Sequence, residues 1–250
     1  MSATEERREE EESLDRQQML TELLAEAERQ VKRGRADLGL LAGVSRLRPD
    51  EAVYFVYELE HDLEREDLGE ESKRALSKVE EAAMPRIAEY VRQVAGVDVP
   101  LEERRGWAGE VKEALRGLPV VDSFEEAERR GLDEFLYILT DGHASGIVSW
   151  EKFKEALRHV PVRELLGRHN ESPRYLDFIE AAAKVPGSYL SVHVNRGINY
   201  EDVDIDGILL PIQEGADGAI WSLLQEAIHP PDEFMFTKVK GRQYVWLWWD

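Results

Sequence analysis

A chain of 250 residues, 42% of them hydrophobic, can bury one large core or two smaller ones without help from metals or disulfides. It has no cysteine, which excludes a disulfide framework, thiolate metal sites, iron–sulfur clusters and a cysteine nucleophile, and accords with a reducing interior. Its formal charge of -20 repels phosphate backbones and anionic lipid surfaces, so neither a nucleic acid nor a membrane is expected as a partner.

The chain opens MSATEERREEEES, charged where a secretory signal is apolar, and no apolar run of about 18 residues follows. A soluble, cytoplasmic protein is expected, with residues 1–12 a disordered acidic tail. From Ser13 the pattern is helical: Leu20, Leu24, Ala27 and Val31 recur at helical steps, and Gly34 can end the helix. Pro49 and Asp50 open a second helix through 52–66, with Val53, Val56, Leu59 and Leu63 facing a core. A third runs from about Glu70 to Val94, and Pro85 inside it predicts a kink or break. Further helices are read at about 101–116, 123–139, 149–159 and 173–184. Ser123 with Glu126 forms a capping box for one, and Ser172 before Pro173 a start signal for another.

After Pro186 and Gly187 the hydrophobic period changes from 3.6 to 2, and SYLSVHV, EDVDI, ILLPI, EFMFTKV and RQYVWLWW read as strands around one helix, AIWSLLQEAI. Lys240 and Gly241 fit a hairpin between the last two. The expected architecture is therefore mostly α with a small α+β C-terminal part. A bundle-like helical domain occupies 13–185 and a short antiparallel sheet occupies 186–250, with the two parts able to share one core.

The stretch DGHASGIVSWEKF places Asp141, Ser145, Gly146, Val148 and Ser149 at the spacing of a calcium loop, between an apolar LDEFLYIL and a segment with Phe153, Ala156 and Leu157. Over about residues 129–158 this resembles an EF-hand helix-loop-helix, a degenerate one. His143 stands where an oxygen ligand belongs and Lys152 where the family has its bidentate glutamate, so the loop is not expected to hold calcium. The expectation is a connector in which Gly146 supplies the turn, Val148 enters the core and Ser149 caps the next helix. A second candidate, DVDIDGILLPIQE, aligns Asp202, Asp204 and Asp206 before Gly207. It reads as a β-hairpin with an Asp-Gly turn, or alternatively as a divalent-metal-responsive loop.

No catalytic motif is found: there is no G-x-S-x-G elbow and no phosphate-binding glycine loop. Glu58 with His61 and Glu226 with His229 have di-iron spacing, but an acid-rich chain produces such pairs by chance. His143, His159, His169 and His193 are scattered, and His193 reads as an ordinary strand residue. In YVWLWWD, Tyr244, Trp246 and Trp248 share one strand face while Val245, Leu247 and Trp249 share the other, so both faces call for burial or a partner. The resulting expectation is an acidic interaction protein (adaptor, regulator or assembly subunit) with no cofactor. It would dock a protein partner or a second copy through Tyr244, Trp246, Trp248 and Trp249. The alternatives are the metal-responsive module and an enzyme whose site is not contiguous in sequence.

Overall fold

A computed structural model of the chain describes residues 3–64, 67–197 and 200–250, of which 3–11 and 64 are described by their backbone alone. The chain divides into two compact units, Met1–Tyr90 and Val91–Asp250. No helix among the described residues is long and apolar enough to cross a membrane.

The first unit holds α1 (Ala3–Val31), α2 (Leu38–Val44), α3 (Pro49–Glu64) and most of α4 (Glu70–Ala95). Helix α1 takes in nearly all of the stretch expected to be disordered, apart from residues 1 and 2, which lie outside the described residues, as does the expected end of α3 at 65 and 66. Gly34, at φ 68°, follows α1 as anticipated. The short α2 was not anticipated; Asp37 caps it by accepting the Leu40 N–H at 2.8 Å. Helix α1 is joined to α3 by Arg16, which donates two hydrogen bonds to the Glu51 carboxylate at 2.8 and 2.6 Å. Pro85 lies inside α4 without dividing it.

The second unit overturns the expected architecture. Its centre is a six-stranded antiparallel sheet in the order β1-β2-β3-β4-β6-β5. The strands are β1 (Phe135–Leu139), β2 (His143–Ser149), β3 (Tyr189–Arg196), β4 (Glu201–Pro211), β5 (Glu233–Val239) and β6 (Arg242–Trp248). The sheet thus begins well before Pro186, and the protein is not a helical bundle with a small appended sheet. Helices α5 (Trp107–Leu115), α6 (Phe124–Arg129), α7 (Trp150–Leu157), α8 (Tyr175–Lys184) and α9 (Ala216–Glu226) complete the unit, with a 3-10 turn at Glu164–Leu166.

The misread segment has a local cause. The Ser123 hydroxyl does cap α6 by accepting the Glu126 N–H, but the Glu126 carboxylate takes the Asp122 N–H, so the reciprocal half of the expected box is not made. Gly131, at φ 66°, follows the cap Arg130 and stops the helix, as a left-handed glycine does. The apolar residues of LDEFLYIL satisfy helical and strand spacing equally, and pairing with β2 decides for strand. The resembled helix-loop-helix is therefore a β-hairpin. Buried Lys112 of α5 donates to the main-chain carbonyls of Thr140 and Asp141 at its turn. Val148 is buried and Ser149 caps α7, accepting the Lys152 N–H, as expected. Gly146, expected to make the turn, is instead mid-strand.

Asp202 to Pro211 likewise form no hairpin. They are one continuous strand, β4, in which Asp206 is an extra residue: Ile205 faces Val192 and Gly207 faces Ser191. This β-bulge lets the strand run on where an Asp-Gly turn was expected. Lys240 (φ 49°) and Gly241 (φ 79°) do make the two-residue hairpin turn between β5 and β6, with both residues left-handed as type I′ requires.

Helices α5, α7 and α8 pack on β2, β3 and β4. Glu201 anchors the first of them, its carboxylate accepting the Gly106 N–H at 2.8 and 2.9 Å and the Ala108 N–H at 3.2 Å at the positive end of α5. An apolar pad is built by Val121, Ala127 of α6, Phe135, Ile147, Leu209 and Tyr244, with Tyr137, Tyr189 and Trp246 at its margin. Residues 119–121 also close the outer edge of β1: the Val121 N–H donates to Leu136 O at 2.9 Å and the Leu136 N–H to Pro119 O at 2.8 Å.

Gly146 packs directly against the main chain of β1. A Cβ there would lie 2.1 Å from Phe135 O and 2.8 Å from Leu136 Cα, main-chain atoms that have nowhere to move. Gly146→Ala should therefore destabilise the second unit by about 3 kcal/mol or more, read as a fall in Tm of roughly 2–4 °C for each kcal/mol lost. An unchanged Tm would contradict this register.

Candidate functional site

Pairing across β2, β3 and β4 sets two neighbouring rows of polar residues on the sheet. His143 faces Asn195, which faces Asp202; one rung along, Ser145 faces His193, which faces Asp204. Two of the histidines that look scattered in sequence thus meet, with ring centroids 6.4 Å apart. The Ser145 hydroxyl sits between them, 2.7 Å from His143 Nε2 and 2.8 Å from His193 Nδ1. On its other side His193 Nε2 lies 2.8 Å from Asp206 Oδ2, which also accepts the Trp248 indole N–H at 2.9 Å. Tyr137, the extra residue of a bulge in β1, brings its hydroxyl to 3.4 Å from His193 Nε2.

The electrostatics of His193 and Asp206 are mutual. Burial works against the charged form of each, but the hydrogen bond and the opposite charge outweigh it: His193 is raised above its ordinary value and Asp206 is held below the usual carboxylate range. Asp204 adds to the pull on His193. Burial, with the charge of Asp206, pushes Tyr137 up to about 12, so it stays a neutral phenol.

Serine, histidine and aspartate in one chain of hydrogen bonds suggest a hydrolase triad, but the geometry differs in two respects. Ser145 is completely buried, with its oxygen already engaged by two imidazoles, whereas a nucleophile must be reachable. It also meets Nδ1 of the histidine while the aspartate meets Nε2, the reverse of the hydrolase order. What the arrangement can do is hold and pass a proton between a half-exposed imidazole, His143, and a nearly buried ion pair.

The three aspartates read as a metal loop go to different places. Asp202 lies opposite Asn195, Asp204 accepts the Tyr175 hydroxyl, and Asp206 accepts from His193 and Trp248. The bulge separates Asp206 from the regular alternation of the other two, and no metal-holding cluster occurs among the described residues. Near Asp202 and Asp204, burial and their negative charges, with Glu103, push Glu164 up to about 7.

Of the aromatic residues proposed for docking, Tyr244 and Trp249 are buried, Trp249 against Phe178 at 5.5 Å between ring centroids. Trp246 and Trp248 are half-buried, their indole N–H groups donating to Glu233 at 2.8 Å and to Asp206. Strand β6 lies between β4 and β5, so both of its main-chain edges are paired. The exposed apolar side chains of this hairpin belong to β5: Phe234, Met235 and Phe236. In sequence they form an ordinary strand pattern, EFMFTKV, whose edge position only the pairing of β5 with β6 alone reveals. Of the paired motifs, Glu226 with His229 and Glu58 with His61 gather no further ligands among the described residues. A groove between α1 and α3 is lined by Leu20, Leu24 and Tyr54 with two arginines, Arg16 and Arg48, of which Arg16 is already paired with Glu51.

The chain was compared with protein-family models, with curated proteins and with solved structures, and none of them matches it.

Two pH dependences follow. Because Asp206 is lowered, its contribution to stability is present above the ordinary carboxylate pKa and lost as pH falls through the folded value. Because His193 is raised, its contribution is present below the ordinary imidazole pKa and lost as pH rises through the folded value. Asp206→Asn should therefore cost most Tm at about pH 5–6, between the two ordinary ranges, and less at pH 9; a cost that does not vary with pH would refute the ion pair. Glu164 has the opposite sense: its raised value means that ionisation opposes folding above the ordinary carboxylate range. Glu164→Gln should raise Tm at pH 8 and leave it nearly unchanged at pH 4, as thermal melts at the two values would show.

Proposed function

We propose that this protein works through protein contacts as a self-associating assembly subunit, with the C-terminal hairpin as its docking element and a second copy as the occupant. The observation that carries this reading is the state of the two edges of the sheet. Edge strands are templates for further pairing and are normally covered. The β1 edge is covered by residues 119–121, whereas β5 pairs only with β6 among the described residues and presents Phe234, Met235 and Phe236 to solvent.

Charge favours a second copy. Strand β5 begins at acidic Glu233 and carries basic Lys238 near its other end. In an antiparallel pair centred on Phe236, the two-fold axis brings Phe234 opposite Lys238 of the other copy and stacks the two Phe236 rings near the axis. Phe234 and Phe236 already sit edge to face with centroids 6.2 Å apart, so pairing would gather four phenylalanines with a lysine at each end. A self-complementary strand of this kind makes a closed dimer.

Sedimentation of the full chain tests it. The wild type should sediment as a dimer, and Phe236→Lys, which sets two ammonium groups face to face at the axis, should sediment as a monomer with an unchanged far-UV spectrum. A monomeric wild type, or a dimer untouched by Phe236→Lys, overturns the reading.

A further inference from the structure

The geometry points to an acid–base relay across the sheet, in which His143 exchanges a proton with its surroundings and Ser145 delivers the equivalent proton to the His193–Asp206 pair. It is independent of the dimer proposed above and uses other residues.

The hydrogen-bond directions follow from what each group can donate. Asp206 is ionised and only accepts, so His193 Nε2 carries a hydrogen towards it in every state. With His193 neutral, Nδ1 is then an acceptor. It must take the Ser145 O–H, which leaves the Ser145 oxygen to accept from a hydrogen on His143 Nε2. When a proton binds to Nδ1 of His143, the hydrogen on Nε2 passes to Ser145, and the hydroxyl hydrogen passes to His193 Nδ1. No atom is gained beyond the one proton: His143 ends neutral in its other tautomer, His193 ends as imidazolium beside Asp206, and Ser145 is again a hydroxyl, now pointing the other way. Ser145, fully buried and bonded on both sides, is placed to carry that hydrogen and little else.

The groups around the relay favour this direction. From β4, Asp204 and Asp206 attract a positive charge on His193, whereas Asp202 lies opposite Asn195 in the neighbouring row. From β1, Tyr137 contributes an un-ionised phenol, and from β6 the Trp248 N–H fixes the Asp206 carboxylate. On β3 the neighbour is neutral Asn195. The Asp204 carboxylate is held by the Tyr175 hydroxyl of α8, and Glu164, near Asp202 and Asp204, is itself pushed towards its neutral form. Among the described residues the charges acting on His193 are the Asp204 and Asp206 carboxylates, and both favour its imidazolium.

The experiment is side-chain nitrogen NMR of the intact protein across the titration of His193, with the His143 signals identified by their loss in His143→Gln. In the wild type, His143 should carry its hydrogen on Nε2 above the His193 midpoint and on Nδ1 below it, a tautomer switch at a pH set by another residue. Ser145→Thr, which keeps the hydroxyl, should keep the switch. Ser145→Ala should abolish it while His193 still titrates. A wild-type His143 that holds one tautomer through the His193 midpoint overturns the relay without recourse to any variant, as does a switch that survives in Ser145→Ala.

Discussion

The antiparallel ladder through β2, β3 and β4 places Ser145, His143, His193 and Asp206 together, and one irregularity in it matters most. Strand alternation alone would carry Asp204 and Asp206 through the same pattern of partners. The single extra residue at Asp206 breaks that pattern, leaving Asp204 opposite His193 in register while Asp206 bonds the ring nitrogen of the same histidine. The residue after it must be small. A Cβ on Gly207 would lie 2.9 Å from the Trp246 ring and 3.0 Å from that of Trp248, so its absence lets Trp248 reach the Asp206 carboxylate.

A buried carboxylate and two imidazoles are costly to remove from water, and the cluster offsets that cost by chaining them. Each member satisfies the next: Trp248 and His193 donate to Asp206, and Ser145 lies between two ring nitrogens. One atom departs from this economy, for Asp206 Oδ1 is buried without a hydrogen bond among the described residues. The ion pair with His193 has to compensate for it, which ties the local stability to the protonation of one histidine.

The two edges of the sheet are treated differently, and the difference gives the unit a direction. At β1 the incoming chain at 119–121 uses up the free main-chain groups. At β5 the hairpin ends the sheet with two phenylalanines in the open, one strand away from tryptophans that are committed to internal hydrogen bonds. The polar cluster centres on β2, β3 and β4, whereas the exposed phenylalanines lie on β5 at the edge of the same sheet.

Much of the local structure was legible from residues alone, because it rests on short-range rules. Helices α1, α3 and α4, the cap at Ser149 and the Lys240-Gly241 hairpin follow from apolar spacing, side-chain oxygens beside free N–H groups, and tolerance of positive φ. The absence of cysteine and the acidic charge likewise fixed what chemistry to leave aside. What only the tertiary structure decided is register. Phe135 to Leu139 fit a helix as well as a strand until β2 pairs with them, and Asp206 and Gly207 look like a turn until β3 and β6 hold them as a bulge. His143 and His193 are fifty residues apart in order of magnitude, and nothing local to either signals the other; strand pairing joins them. Hydrogen bonding between strands links residues remote in the chain, so no pattern confined to a few neighbouring residues can specify it.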